Sequence, residues 1–242
     1  MGCSNVGDAE STDDKQFQDL RGWKGLTREE LQRKLHKCTG DEVRIYTVAS
    51  TILDKKSHDV RHTGCGPNLE GGLATLCTCK HSMRQSYIPK DWKGRWILGL
   101  TSRAMKKGFS GEHYLFYLMK VSQAFESHRD LFEYLAKGNR KALQIKNATK
   151  NPFGDVYQPR GTCADALNPS MYDLPCANHS HGSKVNDQWV DDIVYKGKRA
   201  PLLLGDIENT FVWPQPVIRF TQHRGVGNLK LTLWEDLFNF LK

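Results

Sequence analysis

Residues His113 to Phe125, HYLFYLMKVSQAF, run without a glycine or proline and read as a β-strand long enough to sit at the centre of a sheet. Whatever this chain folds into must supply neighbours for both edges of that strand. They are at hand. VRIYTVAST (Val43 to Thr51) is rich in β-branched and aromatic residues and reads as a first strand. LATLCTCK (Leu73 to Lys80) alternates as a second, with Leu73, Thr75, Cys77 and Cys79 on one face. GRWILGLTS (Gly94 to Ser102) is a third, and APLLLGDIENTFVWP and PVIRFTQ add more towards the end.

Helical signals flank this group. Thr27 and Glu30 form a capping box ahead of a stripe of Leu26, Leu31 and Leu35, which Gly40 closes. HRDLFEYLAKGNRKAL predicts a helix after the long strand. TLWEDLFNFLK predicts another at the end, capped by Thr232 with Glu235 three positions on. The stretches 53–72 and 146–190 read as loops. Strands that follow one another without alternating helices argue against a doubly wound parallel sheet. The expected fold class is α+β: a small, mostly antiparallel β-barrel or curled sheet with flanking helices. Residues 1–20 are acidic and predict a disordered tail, leaving 21–242 as one domain.

The net charge is +8, and its placement says more than its size. Between Lys80 and Ser110 stand eight lysines and arginines against Asp91 alone, so nearly all of the surplus falls in one neighbourhood. A local positive field of this kind attracts phosphates and polyanions. No apolar run reaches 18 residues, so no membrane span is expected. Seven scattered cysteines without a secretory leader predict free thiols and an intracellular location, cytoplasm or nucleus. Gly2 and Cys3 raise N-terminal acylation, although Val6 stands where the myristoylation pattern wants Ser or Thr.

Four kinds of site compete within this frame. His62, Cys65, Cys77, Cys79 and His81 crowd together, but C-x-C in a strand is a poor match to zinc spacing, and no metal is expected. Cys79 beside a histidine, with Lys80 to lower its pKa, offers a nucleophile with no visible orienting group. His179 and His181 alternate in a loop with Asn178 and Asp187 and suit an anion or a metal. Lastly, Lys80, Arg84, Lys93 and Arg95 are interleaved with Tyr87, Trp92 and Trp96. Cations for phosphate and rings for stacking are what a nucleotide or an unpaired base requires. If the second and third strands pair, these cations gather at one end of their hairpin.

The order of features from Val43 to about Phe220 resembles the nucleotide modification associated domain families, particularly the second type, which are related to the ASCH, EVE and PUA-like β-barrels. The matching pieces are IYTVAS, GCGPNLEGGLATLCTCKHSMRQ, DWKGRWILGLTS, YLFYLMKVSQAF with FEYL, GDVYQP, and PLLLGDIENTFVW. They put Gly64, Pro67, Asn68, Cys79, Lys80, Arg84, Gly94 and Gly99 on motif positions, with NHSHG as a histidine loop. Arg95 departs from the pattern, standing where an aspartate is usual. The resemblance implies a PUA-like barrel that handles modified nucleotides or modified bases in nucleic acid.

The expectation that follows is recognition without catalysis or cofactor. Lys80 and Arg84 hold phosphate, Asn68 meets a base edge, and Tyr46 or Trp92 stacks. Lys93 and Arg103 add sequence-independent affinity, and Cys79, His179 and His181 complete the site. Two rivals remain. One is an enzyme on a modified nucleotide using Cys79, His179 or His181 with Asp155. The other is a lipid-anchored interaction module.

Overall fold

The computed structural model describes residues 16–38, 40–161, 165–177, 179, 189–222, 229–232 and 236–242. The chain opens with α1 (Arg28–Leu35), whose N-cap Thr27 and Glu30 make the reciprocal capping bonds that the sequence predicts. Then come β1 (Glu42–Val48), the hairpin β2 (Thr51–Leu53) and β3 (Val60–His62), and a short β4 (Thr75–Leu76). Two helical turns, α2 (His81–Arg84) and α3 (Pro89–Trp92), lead to β5 (Trp96–Thr101) and β6 (His113–Phe125). After α4 (His128–Gly138), α5 (Arg140–Lys146) and α6 (Trp189–Ile193) follow β7 (Leu202–Val212), β8 (Arg219–Phe220), β9 (Leu229–Thr232) and α7 (Leu237–Phe240).

The main sheet has the order β4-β7-β6-β5-β1-β9, with β8 also paired to β6. The long strand is central, as its length predicts. Only β1 and β5 run parallel; the other pairs are antiparallel. Register shifts at Gly99/Leu100, Met119/Val121 and Val121/Gln123 bend the strands, and bulges of this kind curl a sheet. The fold is therefore α+β, a curled and mostly antiparallel sheet with flanking helices. Both faces of the sheet are covered. Ile45, Trp96 and Leu98 pack towards Leu31 and Leu35 of α1, while Tyr46, Ile97, Phe116 and Tyr117 pack on the opposite side. That is why every residue of β5 is buried and its sequence is a continuous apolar run instead of an alternation. Among the described residues no helix is long and apolar enough to cross a membrane.

Three expectations are corrected. The second strand is only two residues long and pairs with β7, not with β5. Beyond Leu76 the chain leaves the ladder, because the Cys79 carbonyl that a strand would pair instead accepts from Arg84 Nε at 2.8 Å. The predicted helix after β6 is split in two. Asn139 breaks out of helical geometry and its side chain accepts from the Ala142 amide, capping α5. The segment 53–72, expected to be a loop, contains β3 and a 3-10 turn at Glu70–Gly72. The cap of the last helix is a further correction: Thr232, expected there, ends β9, and Asp236 precedes α7. Of the expected 1–20 tail, residues 16–20 are described, and Gln18 among them is buried, its side-chain amide donating to the Gly64 and Pro67 carbonyls. Residues 1–15, with the acylation at Gly2 and Cys3, and Glu235 lie outside the described residues.

Candidate functional site

Tyr46, Gly99 and Tyr117 stand side by side on β1, β5 and β6. A Cβ on Gly99 would sit 2.1 Å from the Tyr117 ring, so only glycine lets that ring lie across β5. The two hydroxyls then meet at 2.7 Å. Burial pushes both phenols well above their usual pKa, so they stay neutral. Of this buried pair, Tyr46 also lines a small pocket.

The pocket has a volume of about 240 Å³. One wall is the end of β1 and the turn after it, from Tyr46 to Ser50. Gly64, Cys65 and Gly66 form a second wall, and Cys79, Lys80 and Lys107 close it. Among the described residues no acidic one lines it. Gly66 is required by close approach, since a Cβ there would lie 2.8 Å from Thr78 Oγ1 and 2.9 Å from Cys79 Sγ. Behind the wall, buried His62 ties two parts together. Its Nδ1 accepts from the Ser50 hydroxyl at 3.1 Å and the Gly64 amide at 3.3 Å, while its Nε2–H donates to the Pro67 carbonyl at 3.1 Å. Burial lowers the His62 pKa to about 4, so the ring is neutral at neutral pH.

Lys80 sits at the mouth with φ 57° and ψ 38°, a left-handed conformation that side-chain-bearing residues seldom adopt. Its ammonium lies 5.0 Å from the centre of the Tyr46 ring, within cation–π range. Strain kept at a cavity mouth points to a functional role for the residue held there. Opposite it, the Lys107 ammonium donates to the Ala49 carbonyl on the pocket wall.

The structure brings Tyr46, Cys79 and Lys80 to the pocket and places the other predicted residues that it describes elsewhere. Tyr46 offers no open face, since it is buried and its ring is covered by Lys80. Arg84 is fully buried, donating to the carbonyls of Cys79, Ala200 and Pro201 at 2.8 Å each, so the expected phosphate contact is corrected to an interior tie. Among the described residues its Nη2 has no hydrogen-bond partner. Trp92, expected as an exposed stacking face, is also fully buried. Its indole N–H donates to the Arg84 carbonyl at 2.8 Å, and its ring meets Tyr87 edge to face. Asn68 is committed at both ends of its amide, donating to the Phe153 carbonyl and accepting from Lys146 and the Glu70 amide.

Lys93 and Arg103 are exposed but stand at opposite ends of β5, about 20 Å apart along a strand of that length. The cations of 80–110 therefore do not share one rim. Arg95 pairs with Glu42 at 3.1 Å and covers Tyr87 at the far end. His179 is buried, with Nε2 at 3.1 Å from the Tyr157 hydroxyl. His181 lies outside the described residues.

Beneath the pocket lies a second polar group. Asp192 accepts from Tyr157 at 2.8 Å and from His81 at 3.0 Å, and burial pushes its carboxyl well above the usual range. Asp155 accepts from Thr75, and burial raises it to about 6; burial also lowers Lys146 to about 8. Burial raises the Cys65 and Cys77 thiols well above their ordinary value and Cys79 to about 11. A thiol held protonated is a poor nucleophile, which weighs against the cysteine-based enzyme. Among the described residues no three His, Cys, Asp or Glu converge to hold a metal ion.

Sequence reasoning missed Ser50, His62, Gly66 and Lys107 as builders of this site. The glycine and histidine density of 58–66 was the available signal, but their partners at Ser50 and Pro67 come from folding. A larger groove of about 710 Å³ between Trp23 and Trp213 mixes lysines and arginine with Glu29 and Asp59, so it lacks the one-signed charge of the smaller pocket. Comparisons with known proteins leave the site to be read from its own geometry: no family model, no curated protein and no solved structure matches this chain.

Proposed function

We propose that this chain is a PUA-like member of the nucleotide modification associated domain group, and that the pocket beside Lys80 binds the base of a modified nucleotide without chemical change. One observation carries the reading: a cavity about the size of a single heterocycle, at the end of β1, with two lysines and, among the described residues, no acid in its wall. A volume of 240 Å³ holds roughly eight waters at about 30 Å³ each, which suits one base and not a dinucleotide. Lys80 supplies a charge-assisted contact to phosphate. The Ser50 hydroxyl oxygen, whose proton goes to His62, accepts a hydrogen bond from a base edge, the role first assigned to Asn68.

Titration calorimetry at low salt with 5′-mononucleotides carrying methylated and plain bases tests this. The expected result is saturable binding that favours at least one methylated base and falls about tenfold in Lys80→Ala, the loss of one charge-assisted hydrogen bond. Absent binding, or equal affinity across the set, overturns the proposal.

A further inference from the structure

Met105 is 81 % exposed, more than any other large apolar side chain among the described residues. It does not hang from a loose end. It begins a 3-10 turn, Met105–Lys107, that grows out of the end of β5 and is pinned on several sides. The Ser102 amide donates to Thr51 Oγ1 at 2.7 Å, and the Gly111 amide donates to the Arg103 carbonyl at 3.1 Å. The amides of Lys107 and Gly108 close the turn on Ala104 and Met105. Gly108 packs so tightly on β2 that an added Cβ would come within 2.9 Å of Leu53. The fold thus holds an apolar side chain out into water on a well-anchored turn.

Its neighbours are cationic. Arg103 and Lys106 are exposed, and Lys107, two residues on, is part of the pocket wall. Lys55 and Lys56 are exposed at the tip of the β2–β3 hairpin, against which the turn packs. Of the acids beside the turn, Asp54 is engaged by Arg61 at 3.4 Å and by the Lys56 and Ser57 amides, and Glu112, next to Gly111, is paired with Arg219 at 3.6 Å. A projecting apolar wedge ringed by cations fits a base-paired stack: the cations meet phosphates on either side of a step, and the wedge enters the step.

We infer that the Arg103–Gly108 turn docks on duplex nucleic acid and that Met105 fills the gap left in the stack when a base moves into the neighbouring pocket. The inference rests on the proposed pocket for its purpose but not for its test. Extrusion leaves a hole one base-pair step high, and a side chain that occupies it keeps the base from falling back. Met105 and Lys107 are separated by about 4 Å of rise along a 3-10 turn, so wedge and pocket wall are adjacent in the same rigid element.

A duplex with a single abasic site presents the hole without needing any particular base. Fluorescence anisotropy of the full chain with this duplex and with its intact counterpart should show a preference of about tenfold for the abasic one, in line with the unstacking cost that the intact duplex must still meet. Met105→Ala should erase that preference while leaving mononucleotide titrations unchanged. Lys80→Ala should weaken mononucleotide binding and keep the abasic preference. Equal affinity for the two duplexes in the wild type, or a preference that survives in Met105→Ala, overturns the inference even if mononucleotides bind. Loss of mononucleotide binding in the wild type, with the abasic preference intact, instead removes the pocket reading alone. Stronger binding to phosphatidylcholine–phosphatidylserine vesicles than to either duplex, abolished in Met105→Ala, assigns the wedge to a membrane surface and likewise overturns the inference.

Discussion

Lys80 stands at the mouth of the pocket with its ammonium over the Tyr46 ring, while Arg84, four residues later, is wholly inside and spends its guanidinium on the carbonyls of Cys79, Ala200 and Pro201. Both belong to one basic stretch, and from the sequence both read as phosphate contacts. They differ in backbone. Lys80 takes a left-handed turn that ends the strand-like run and leaves its side chain at the rim, whereas Arg84 lies on the inner face of the turn that follows. A buried guanidinium loses its hydration and survives only where carbonyls and carboxylates replace it. Here the carbonyls are direct partners, and Asp192 and Asp155 contribute at longer range. The comparison separates two uses of positive charge: one cation ties the segment after β4 to the residues that lead into β7 from within, and the other is kept available.

The largest expected effect lies on the interior side. Arg84→Met keeps much of the volume but leaves three buried carbonyls and nearby carboxyls uncompensated. Breaking a buried charged network of this kind costs about 3–5 kcal/mol. Lys80→Ala loses only a cation–π contact at the mouth, about 0.5–1 kcal/mol. Urea unfolding of the two variants, read as midpoint shifts at constant slope, measures the contrast. Similar losses for both would erase the distinction between rim and interior.

Legibility in the sequence followed the same division. Features set by local pattern were readable: the central strand at His113–Phe125 and the Thr27–Glu30 capping box. The site was readable only where a residue's backbone and side chain shared one address, as at Lys80. Trp92 and Asn68 looked like recognition residues because aromatic and amide side chains are the chemistry of recognition. Their indole and amide groups are instead consumed by carbonyls and a lysine that lie far away in sequence or are brought round by a turn. The hairpin expected to gather the cations failed for a related reason. Pairing of β4 with β7 depends on a partner more than a hundred residues away, which no local periodicity can report.

A middle-sized effect sharpens the boundary between rim and interior at His62, which is buried yet holds the pocket wall through Ser50 and Gly64. Its pKa in the folded chain is lowered to about 4, below the ordinary value near 6.5. Between those limits the unfolded chain takes up a proton that the folded chain refuses. Stability from this group is therefore complete above about pH 6.5 and is lost as pH falls, by up to about 1.4 kcal/mol per unit. Asp155, raised to about 6, acts in the opposite direction over part of the window, but it does so in wild type and variant alike. His62→Gln removes the histidine contribution, so unfolding free energies measured from pH 7 to pH 4 should fall less steeply than in the wild type. Parallel pH profiles would mean that His62 is not held neutral behind the pocket.

The smallest effect on stability is also the most discriminating for the rim. Lys80 adopts φ 57°, and a side chain in that region costs roughly 1–2 kcal/mol that glycine does not incur. Lys80→Gly relieves this strain while giving up the contact to Tyr46 and adding glycine's larger entropy loss on folding, so stability should be unchanged or raised by up to about 1 kcal/mol. The same replacement removes the ammonium, so affinity for a mononucleotide should fall as far as in Lys80→Ala, about tenfold. Stability and binding then move apart in one variant, the pattern expected of a strained residue kept for a ligand. A glycine variant that loses stability as the alanine variant does would show that the left-handed turn carries no strain. One that binds as tightly as the wild type would show that the ammonium at the mouth serves the fold alone, leaving Lys107 as the remaining cation in the pocket wall.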